Sequence, residues 1–135
     1  MSRIALVVDD SLLIRRTVQR FLESRGYTVH TACNGLEGLD ALHGISPDLI
    51  VTDLIMPKMG GSEFIREVRY RPDLGATRII LVAGRRSVHS SGPTAGADYV
   101  IHKDVDLVEQ LQFAVDKFHP AGTVIKNKKI EPAAG

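Results

Sequence analysis

Residues 50–61 read IVTDLIMPKMGG and carry a charged side chain at the end of an apolar stretch. Three β-forming residues lead directly to Asp53, whose carboxylate therefore lies at the mouth of a predicted strand. Pro57 and the glycine pair at 60–61 then interrupt regular structure and predict a rigid turn. An aspartate before such a turn usually serves only to form the turn. Whether Asp53 has a functional role therefore depends on which residues the other strands place beside it.

Five short β-rich runs alternate with helical patterns along the chain. Most of these runs are continuously apolar and do not alternate between apolar and polar residues. This pattern is typical of strands covered on both faces in a parallel sheet. The runs are residues 4–8, 27–32, 49–52, 79–83 and 99–101. Because strand–helix alternation implies right-handed crossovers, we expect a single-domain α/β fold. Its doubly wound, five-stranded parallel sheet is predicted to have the flavodoxin-like strand order 2-1-3-4-5.

Amphipathic helices are predicted in the first three connections and after the fifth strand. Ser62 is a good N-cap and is the predicted start of the third helix. The last helix has the clearest apolar stripe, formed by Leu107, Leu111, Ala114 and Phe118. The fourth connection, residues 84–96, contains Gly92 and Pro93, and both are unfavourable inside a helix. A shortened or irregular fourth helix is therefore predicted there.

Composition places the chain among ordinary globular domains. It has 135 residues, of which 44% are hydrophobic and 24% charged. We expect one domain over residues 1–118, followed by a flexible tail over residues 119–135, which has three lysines, two prolines and almost no apolar pattern. The formal net charge of +1 gives no reason to expect direct nucleic-acid binding or an anionic membrane as partner.

The distribution of cysteine and charge indicates the compartment. Cys33 is the only cysteine, which excludes an internal disulfide and fits a reducing environment. It is expected to behave as a small buried hydrophobe. Charged residues return too often for an apolar membrane span of about 18 residues. A cytoplasmic protein without membrane contact is predicted.

Acidic residues and a lysine stand at three strand ends. Asp9 and Asp10 follow the first strand, Asp53 ends the third, and Lys103 comes directly after the fifth. In the order 2-1-3-4-5 these ends lie at one edge of the sheet, beside the point where the chain reverses direction and where ligands bind. Each residue alone has an ordinary explanation, as a helix cap, a turn residue or a solvated lysine. These ordinary explanations account less well for the presence of all four residues at one edge of the sheet.

Crowded carboxylates require a cation. Three of them repel one another and raise each other's pKa unless positive charge is near. Hard oxygen ligands in an open, hydrated site suit Mg²⁺, which takes one or two carboxylates and keeps several waters. Such an ion would also neutralise a phosphoryl group approaching Asp53, and Lys103 would supply a second positive charge. The sequence therefore predicts a magnesium site used with phosphate chemistry.

The same residues resemble a known family, the receiver domain of two-component response regulators, including the chemotaxis response regulators. The matching positions are Asp9, Asp10, Asp53, Met56, Pro57, Gly61 and Lys103. The stretches NGLEGLDAL, PDLIVTDLIMPKMGG and AGADYVIHK are similar to those of the family and come in the same order. The resemblance extends from about residue 3 to residue 118, which is nearly everything but the tail.

The resemblance implies a role for each residue of the site. Asp53 would accept a phosphoryl group from a phosphohistidine on a sensor histidine kinase or phosphotransfer protein. Asp10, Asp53 and the backbone carbonyl of Ile55 would hold Mg²⁺, while Asp9 would act through water and Lys103 would contact the phosphoryl group. The chain would be no enzyme beyond its own phosphorylation and dephosphorylation. It would relay the signal to a downstream protein that the sequence does not identify.

The sequence departs from the family in the region that normally responds to phosphorylation. The family ends strand four with a hydroxyl residue, but Ala83 stands there, or Val82 after a one-residue slip. The family has an aromatic residue where this chain has Val100. Arg85 is spaced to contact a phosphoryl oxygen instead. Such differences also arise by drift in a tolerant surface region. We expect a preserved phosphorylation site with altered or lost coupling to the output face.

Three other functions compete with this interpretation. A phosphatase of the haloacid dehalogenase type needs a second aspartate two residues after the first, where this chain has Ile55. A flavin or nucleotide binder would cradle phosphate with hydroxyls and glycines, whereas Asp9 and Asp10 repel it. The stronger alternative is a phosphorylation-independent, receiver-like adaptor with a degenerate switch, which would bind its partner constitutively through strand five and the last helix.

Overall fold

The computed structural model describes residues 3–84, 96–104 and 106–120, and these form a five-stranded sheet with helices on both faces. The strands are β1 (Arg3–Val8), β2 (Tyr27–Ala32), β3 (Leu49–Asp53), β4 (Arg78–Ala83) and β5 (Tyr99–His102). The helices within these ranges are α1 (Leu12–Ser24), α2 (Gly35–Ala41), α3 (Gly61–Arg69) and α4 (Leu107–Phe118), with a 3₁₀ turn at Pro72–Leu74. All strand pairs are parallel, in the order β2-β1-β3-β4-β5. The predicted fold class and strand order are confirmed.

The strand register brings the carboxyl ends of the strands together. Val8 at the end of β1 pairs with Thr52 of β3, directly before Asp53. Asp53 pairs with Val82 of β4, and the last residue of β4, Ala83, pairs with the last residue of β5. The residues that follow β1 and β5 therefore leave the sheet at the same edge as the end of β3.

Both faces of the sheet are buried, which explains the continuous apolar runs. Ala5 and Val7 of β1 belong to the core beneath α1 and α4, while Leu6 and Val8 belong to the core beneath α2 and α3. Successive side chains of a strand point to opposite faces, so a strand between two cores is apolar at every position. The apolar stripe of α4 faces the first of these cores, as its spacing predicts.

Side chains cap three of the four described helices at their amino ends. Ser11 Oγ accepts from the Ile14 N–H before α1. Equivalent caps before α2 and α4 are Asn34, which accepts from the N–H of Glu37, and Asp106, which accepts from the N–H of Glu109. These bonds satisfy amide groups that would otherwise have no intrahelical partner.

The start of α3 differs from the prediction. Ser62 lies inside this helix rather than at its N-cap, which is Gly60 and provides no side-chain cap. The reason is tertiary, because the chain turns back on β3 and the Gly61 N–H donates to the Leu54 carbonyl at 2.8 Å. The N-cap therefore lies two residues earlier than the predicted serine cap.

Some other predictions met different outcomes. Cys33 is exposed rather than buried, because it is the first residue after β2, where the chain leaves the sheet. The shortened or irregular fourth helix falls mainly on residues 85–95, outside the described residues. Most of the predicted tail does as well, and the domain boundary at residue 118 stays a prediction. Among the helices of the described ranges, none is long and apolar enough to cross a bilayer.

Candidate functional site

Asp53 is held at both carboxylate oxygens. It is the last residue of β3 and is 3% exposed. Its Oδ1 accepts a hydrogen bond from the Leu54 N–H at 2.8 Å, and its Oδ2 accepts one from Lys103 Nζ at 3.0 Å. These two hydrogen bonds hold the carboxylate in one orientation at the edge of the sheet. A nucleophile must be held in a fixed orientation in this way to react efficiently.

Two further carboxylates complete the acidic cluster predicted at this edge. Asp9 is 2% exposed, and its Oδ1 accepts from the Ser11 N–H at 2.9 Å. Asp10 is exposed to solvent. One oxygen each from Asp9, Asp10 and Asp53 can be chosen such that all lie within 4.8 Å of one another. Three oxygen donors so close together, one of them open to water, fit a hydrated divalent cation.

The cluster is electrostatically unfavourable without such a cation. The pKa of Asp9 is raised to about 6, chiefly by burial. The nearby charges of Asp53 and Asp10 act in the same direction, while the hydrogen bond from the Ser11 N–H and the charge of Lys103 oppose the shift. Burial also raises the pKa of Asp53, although the hydrogen bond and charge of Lys103 oppose that shift. One lysine therefore compensates the buried negative charge only in part, and the cluster retains affinity for a further positive charge.

Lys103 reaches the cluster from the end of β5, which is two strands away from β3 in the sheet. Its backbone N–H donates to the Ala83 carbonyl at 2.9 Å, which fixes its position beside the end of β4. From there Nζ lies 3.0 Å from Asp53 Oδ2 and 3.8 Å from Asp9 Oδ2. The structure thus brings together the three aspartates and the lysine that the sequence placed at one edge.

The remaining predicted site positions are more peripheral. Ile55, two residues after Asp53, has a side chain that faces solvent and is 71% exposed. Ala83 is buried at the end of β4, and Val100 is a half-exposed residue of β5. Arg85 lies outside the described residues. The roles assigned to these positions stay predictions.

Sequence reasoning missed Arg15 and the Leu54 amide as supports of the site. Arg15 Nη1 donates to the Asp9 carbonyl at 2.8 Å and so fixes the chain at the end of β1. The available signal was its spacing, since Arg15 lies four residues after the Ser11 cap and so about one helical turn from it. The Leu54 N–H belongs to the backbone, so the identity of the side chain at this position could not predict its role.

Two glycines are required by close packing around the Asp53 loop. A Cβ on Gly61 would overlap the Asp53 carbonyl oxygen and lie 2.9 Å from the Leu54 Cα. A Cβ on Gly35 would lie 2.6 Å from the Met59 side chain, and the Gly35 N–H donates to the Met59 carbonyl at 3.1 Å. The loop after Asp53 is therefore packed between α2 and α3, which explains the small residues at these two positions.

The family model of the response regulator receiver domain matches residues 5–115, a range that includes β2 to β5, all of β1 but its first two residues, and the whole acidic cluster. The chain belongs to this family. The resemblance stated from the motifs is confirmed. Membership makes the chain a receiver domain of two-component signalling, whose family function is that of a phosphoacceptor, and does not favour the alternative of a phosphorylation-independent adaptor.

Individual relatives agree in sequence and in structure. The response regulator MprA of Mycobacterium bovis is 37% identical over 113 residues, covering 82% of this chain and 48% of that protein. This receiver domain thus spans about half the length of the curated relatives it matches. The chemotaxis response regulator CheY4 of Vibrio cholerae superposes with a TM-score of 0.77 at 30% identity, covering 87% of this chain and 99% of the other. A receiver domain of a Syntrophus aciditrophicus signal transduction histidine kinase gives 0.75 at 28% identity, covering 98% and 99%.

Proposed function

We propose that Asp53 is the phosphoacceptor of this receiver domain. It would take a phosphoryl group from a phosphohistidine on a sensor histidine kinase or phosphotransfer protein. The chain would then pass the signal to a downstream protein by direct contact. The observation that carries the proposal is the fixed Asp53 carboxylate, held by Leu54 and Lys103 inside a cluster of acidic residues.

The donor set of the cluster supports Mg²⁺ as the cation. Asp10 and Asp53 would hold it directly with the Ile55 backbone carbonyl, and Asp9 would act through water. All are hard oxygen donors, and Asp10 is open to solvent, as a hydrated ion requires. If bound, Mg²⁺ would supply positive charge that offsets the negative charge of the carboxylates and of an incoming phosphoryl group.

The chain's own residues perform the transfer by positioning and charge. A carboxylate oxygen of Asp53 attacks phosphorus as the bond from phosphorus to the donor imidazole nitrogen breaks. The electron pair of that bond stays on the nitrogen, and the product is an acyl phosphate on Asp53. Lys103 Nζ, already 3.0 Å from Asp53, then neutralises part of the new negative charge. The Leu54 N–H keeps the carboxylate from rotating away from the donor.

The chain is inferred to catalyse only its own phosphorylation and its hydrolytic dephosphorylation. It is inferred to act in the cytoplasm without contacting nucleic acid or membrane, in accord with its net charge of +1. Residues 1–118 would form the receiver domain and residues 119–135 a flexible tail.

Intact mass after incubation with acetyl phosphate and Mg²⁺ tests the phosphoacceptor directly. The wild type is expected to gain one phosphoryl group, and Asp53→Asn to gain none. Asp73→Asn is the matched control, because Asp73 is an exposed aspartate of the 3₁₀ turn and is expected to leave the gain unchanged. A phosphoryl group on Asp53→Asn, or none on the wild type, would contradict the proposal.

A further inference from the structure

Arg15 joins α1 to the backbone of the acidic cluster. It is the fourth residue of α1 and is half-buried, and its Nη1 donates to the Asp9 carbonyl at 2.8 Å. Side chains of an α-helix lean toward its amino end. The guanidinium therefore reaches back over the first turn of the helix to the first residue after β1.

The carbonyl that accepts this bond belongs to the peptide between Asp9 and Asp10. The other polar groups of Asp9 are held as well. Its N–H donates to the Ala32 carbonyl at 3.1 Å, and its Oδ1 accepts from the Ser11 N–H at 2.9 Å. Its Oδ2 lies 3.8 Å from Lys103 Nζ. The guanidinium completes this set at the group that leads directly to the next residue, and so fixes the orientation of the peptide.

The carboxylate of Asp10 depends on this peptide for its direction. Its side chain is exposed, and no group of the described residues donates a hydrogen bond to it. One of its oxygens nevertheless lies within 4.8 Å of an oxygen of Asp9 and of an oxygen of Asp53. Since contacts of its own do not hold this side chain, the backbone before it determines where the carboxylate points.

The charge and the hydrogen bond of Arg15 predict opposite effects on cation binding. A positive charge near the cluster repels Mg²⁺, so its removal by itself would raise the affinity for the ion. Loss of the hydrogen bond frees the Asp9 carbonyl and with it the direction of the Asp10 carboxylate, which would lower the affinity. The direction of the change in affinity therefore separates the two roles.

We propose that Arg15 is a positioning residue for the magnesium site, which holds the Asp9 carbonyl and thereby directs the Asp10 carboxylate toward the ion. This inference rests on the proposed function, in which Asp10 binds Mg²⁺ directly. Groups that orient metal ligands without touching the metal change metal affinity by roughly 10- to 100-fold. Because Arg15 acts through one backbone carbonyl, its effect is expected at the lower end of this range.

Mg²⁺ titrations of the folded protein, followed by backbone amide NMR, test the inference. Arg15→Met removes the donor and is expected to raise the dissociation constant for Mg²⁺ about tenfold. Arg15→Lys, whose ammonium group can still donate to one carbonyl, is expected to retain most of the affinity. Arg16→Met is the matched control, because it removes the same charge from the next, exposed residue of α1. It is expected to bind Mg²⁺ at least as tightly as the wild type.

The hydrogen bond itself is tested in protein without metal. The carbonyl ¹³C signal of Asp9 is expected to move in Arg15→Met and to stay in place in Arg16→Met. Arg15→Gln, whose shorter polar side chain withdraws the donor from the carbonyl, is expected to behave as Arg15→Met does in both measurements. It provides the same comparison if Arg15→Met does not fold.

The Mg²⁺ dependence of phosphorylation separates positioning from a structural defect. With acetyl phosphate, Arg15→Met is expected to need about tenfold more Mg²⁺ for its half-maximal mass gain, and to approach the wild-type gain at saturating Mg²⁺. A gain that stays low at saturating Mg²⁺ would show damage to the folded site rather than a positioning role, and would overturn the inference.

An Mg²⁺ affinity of Arg15→Met and Arg15→Gln equal to or above that of the wild type would also overturn it. A loss of affinity in Arg15→Lys as large as in Arg15→Met would do the same, because the donor is kept there. Absence of any mass gain in the wild type, with Mg²⁺ binding intact, would instead overturn the phosphoacceptor proposal. The two failures are therefore distinguishable.

Discussion

Nζ of Lys103 lies 3.0 Å from Oδ2 of Asp53, although fifty positions separate the two residues in the chain. The contact joins the ends of β5 and β3, with the end of β4 between them. It leaves one ammonium group shared between the carboxylates of Asp53 and Asp9. The lysine is thus placed both to compete with a bound cation and to stabilise the charge of a phosphoryl group.

Removing that ammonium group should separate its two effects. Lys103→Met is expected to leave Mg²⁺ affinity unchanged or slightly higher, because a competing cation is gone. Phosphoryl accumulation from acetyl phosphate is expected to fall by roughly tenfold or more, in line with the loss of one charge-assisted hydrogen bond worth about 1.5–3 kcal/mol. Calorimetry measures the first quantity and intact mass the second.

Lys117→Met is the control for this prediction, since Lys117 is an exposed residue of α4 that lies over the rings of Tyr99 and Phe113. It should change neither quantity. A large loss of Mg²⁺ affinity in Lys103→Met would mean that the lysine organises the folded site rather than the phosphoryl group.

Asp10, the exposed carboxylate of the acidic cluster, should be required for Mg²⁺ binding. Asp10→Ala is expected to abolish detectable Mg²⁺ binding in calorimetry, because it removes a carboxylate that can reach the ion without further desolvation. Asp40→Ala, a change at an exposed carboxylate of α2, should bind Mg²⁺ as the wild type does. Undiminished affinity in Asp10→Ala would place the metal elsewhere.

Gly61 should tolerate no side chain. In Gly61→Ala the new methyl group overlaps the Asp53 carbonyl oxygen, so the loop after β3 must move. We expect a loss of roughly 2–4 kcal/mol in the free energy of unfolding, together with weaker phosphorylation. Urea denaturation measures the loss. In Gly44→Ala the new Cβ meets nothing closer than 4.0 Å, and unfolding is expected to change little. Equal stability of the two variants would refute the packing argument.

A histidine after α4 should make stability depend on pH. The Nδ1 of His119 lies 2.6 Å from the hydroxyl oxygen of buried Tyr27. Burial lowers the pKa of His119 below its ordinary value of 6.5, with the charges of Arg3 and Arg78 acting in the same direction. The neutral ring is therefore favoured in the folded protein. Its contribution is fully present above 6.5 and is lost as the pH falls through the lowered pKa.

Thermal unfolding on either side of pH 6.5 tests this linkage. The wild type is expected to lose more stability on acidification than His119→Gln, while His43→Gln, a change at an exposed histidine, should behave as the wild type. Tyr27→Phe is expected to cost about 1 kcal/mol at neutral pH through the lost hydrogen bond. An identical pH profile in His119→Gln would show that the histidine does not titrate with folding.

Much of the fold and of the acidic cluster was predictable, because both follow from periodicity. Continuous apolar runs separated by helical stripes predicted five parallel strands covered on both faces. A parallel sheet collects its strand ends at one edge, so Asp9, Asp10, Asp53 and Lys103 were placed together before any distance was known. Chemical type and position along a strand are local properties, and a sequence displays them directly.

Only the tertiary structure decided how these residues are held. The start of α3 at Gly61 rather than at Ser62 depends on a bond back to Leu54. The support of Asp9 by Arg15 and the unpaired Nδ1 of His102, whose backbone pairs with Ala83, likewise depend on contacts between different elements. Such contacts form between groups that packing brings together, and their distances and burial arise only when the helices close over the sheet. The sequence by itself determined which groups gather at the edge, and packing decided which of them are paired, buried or left free.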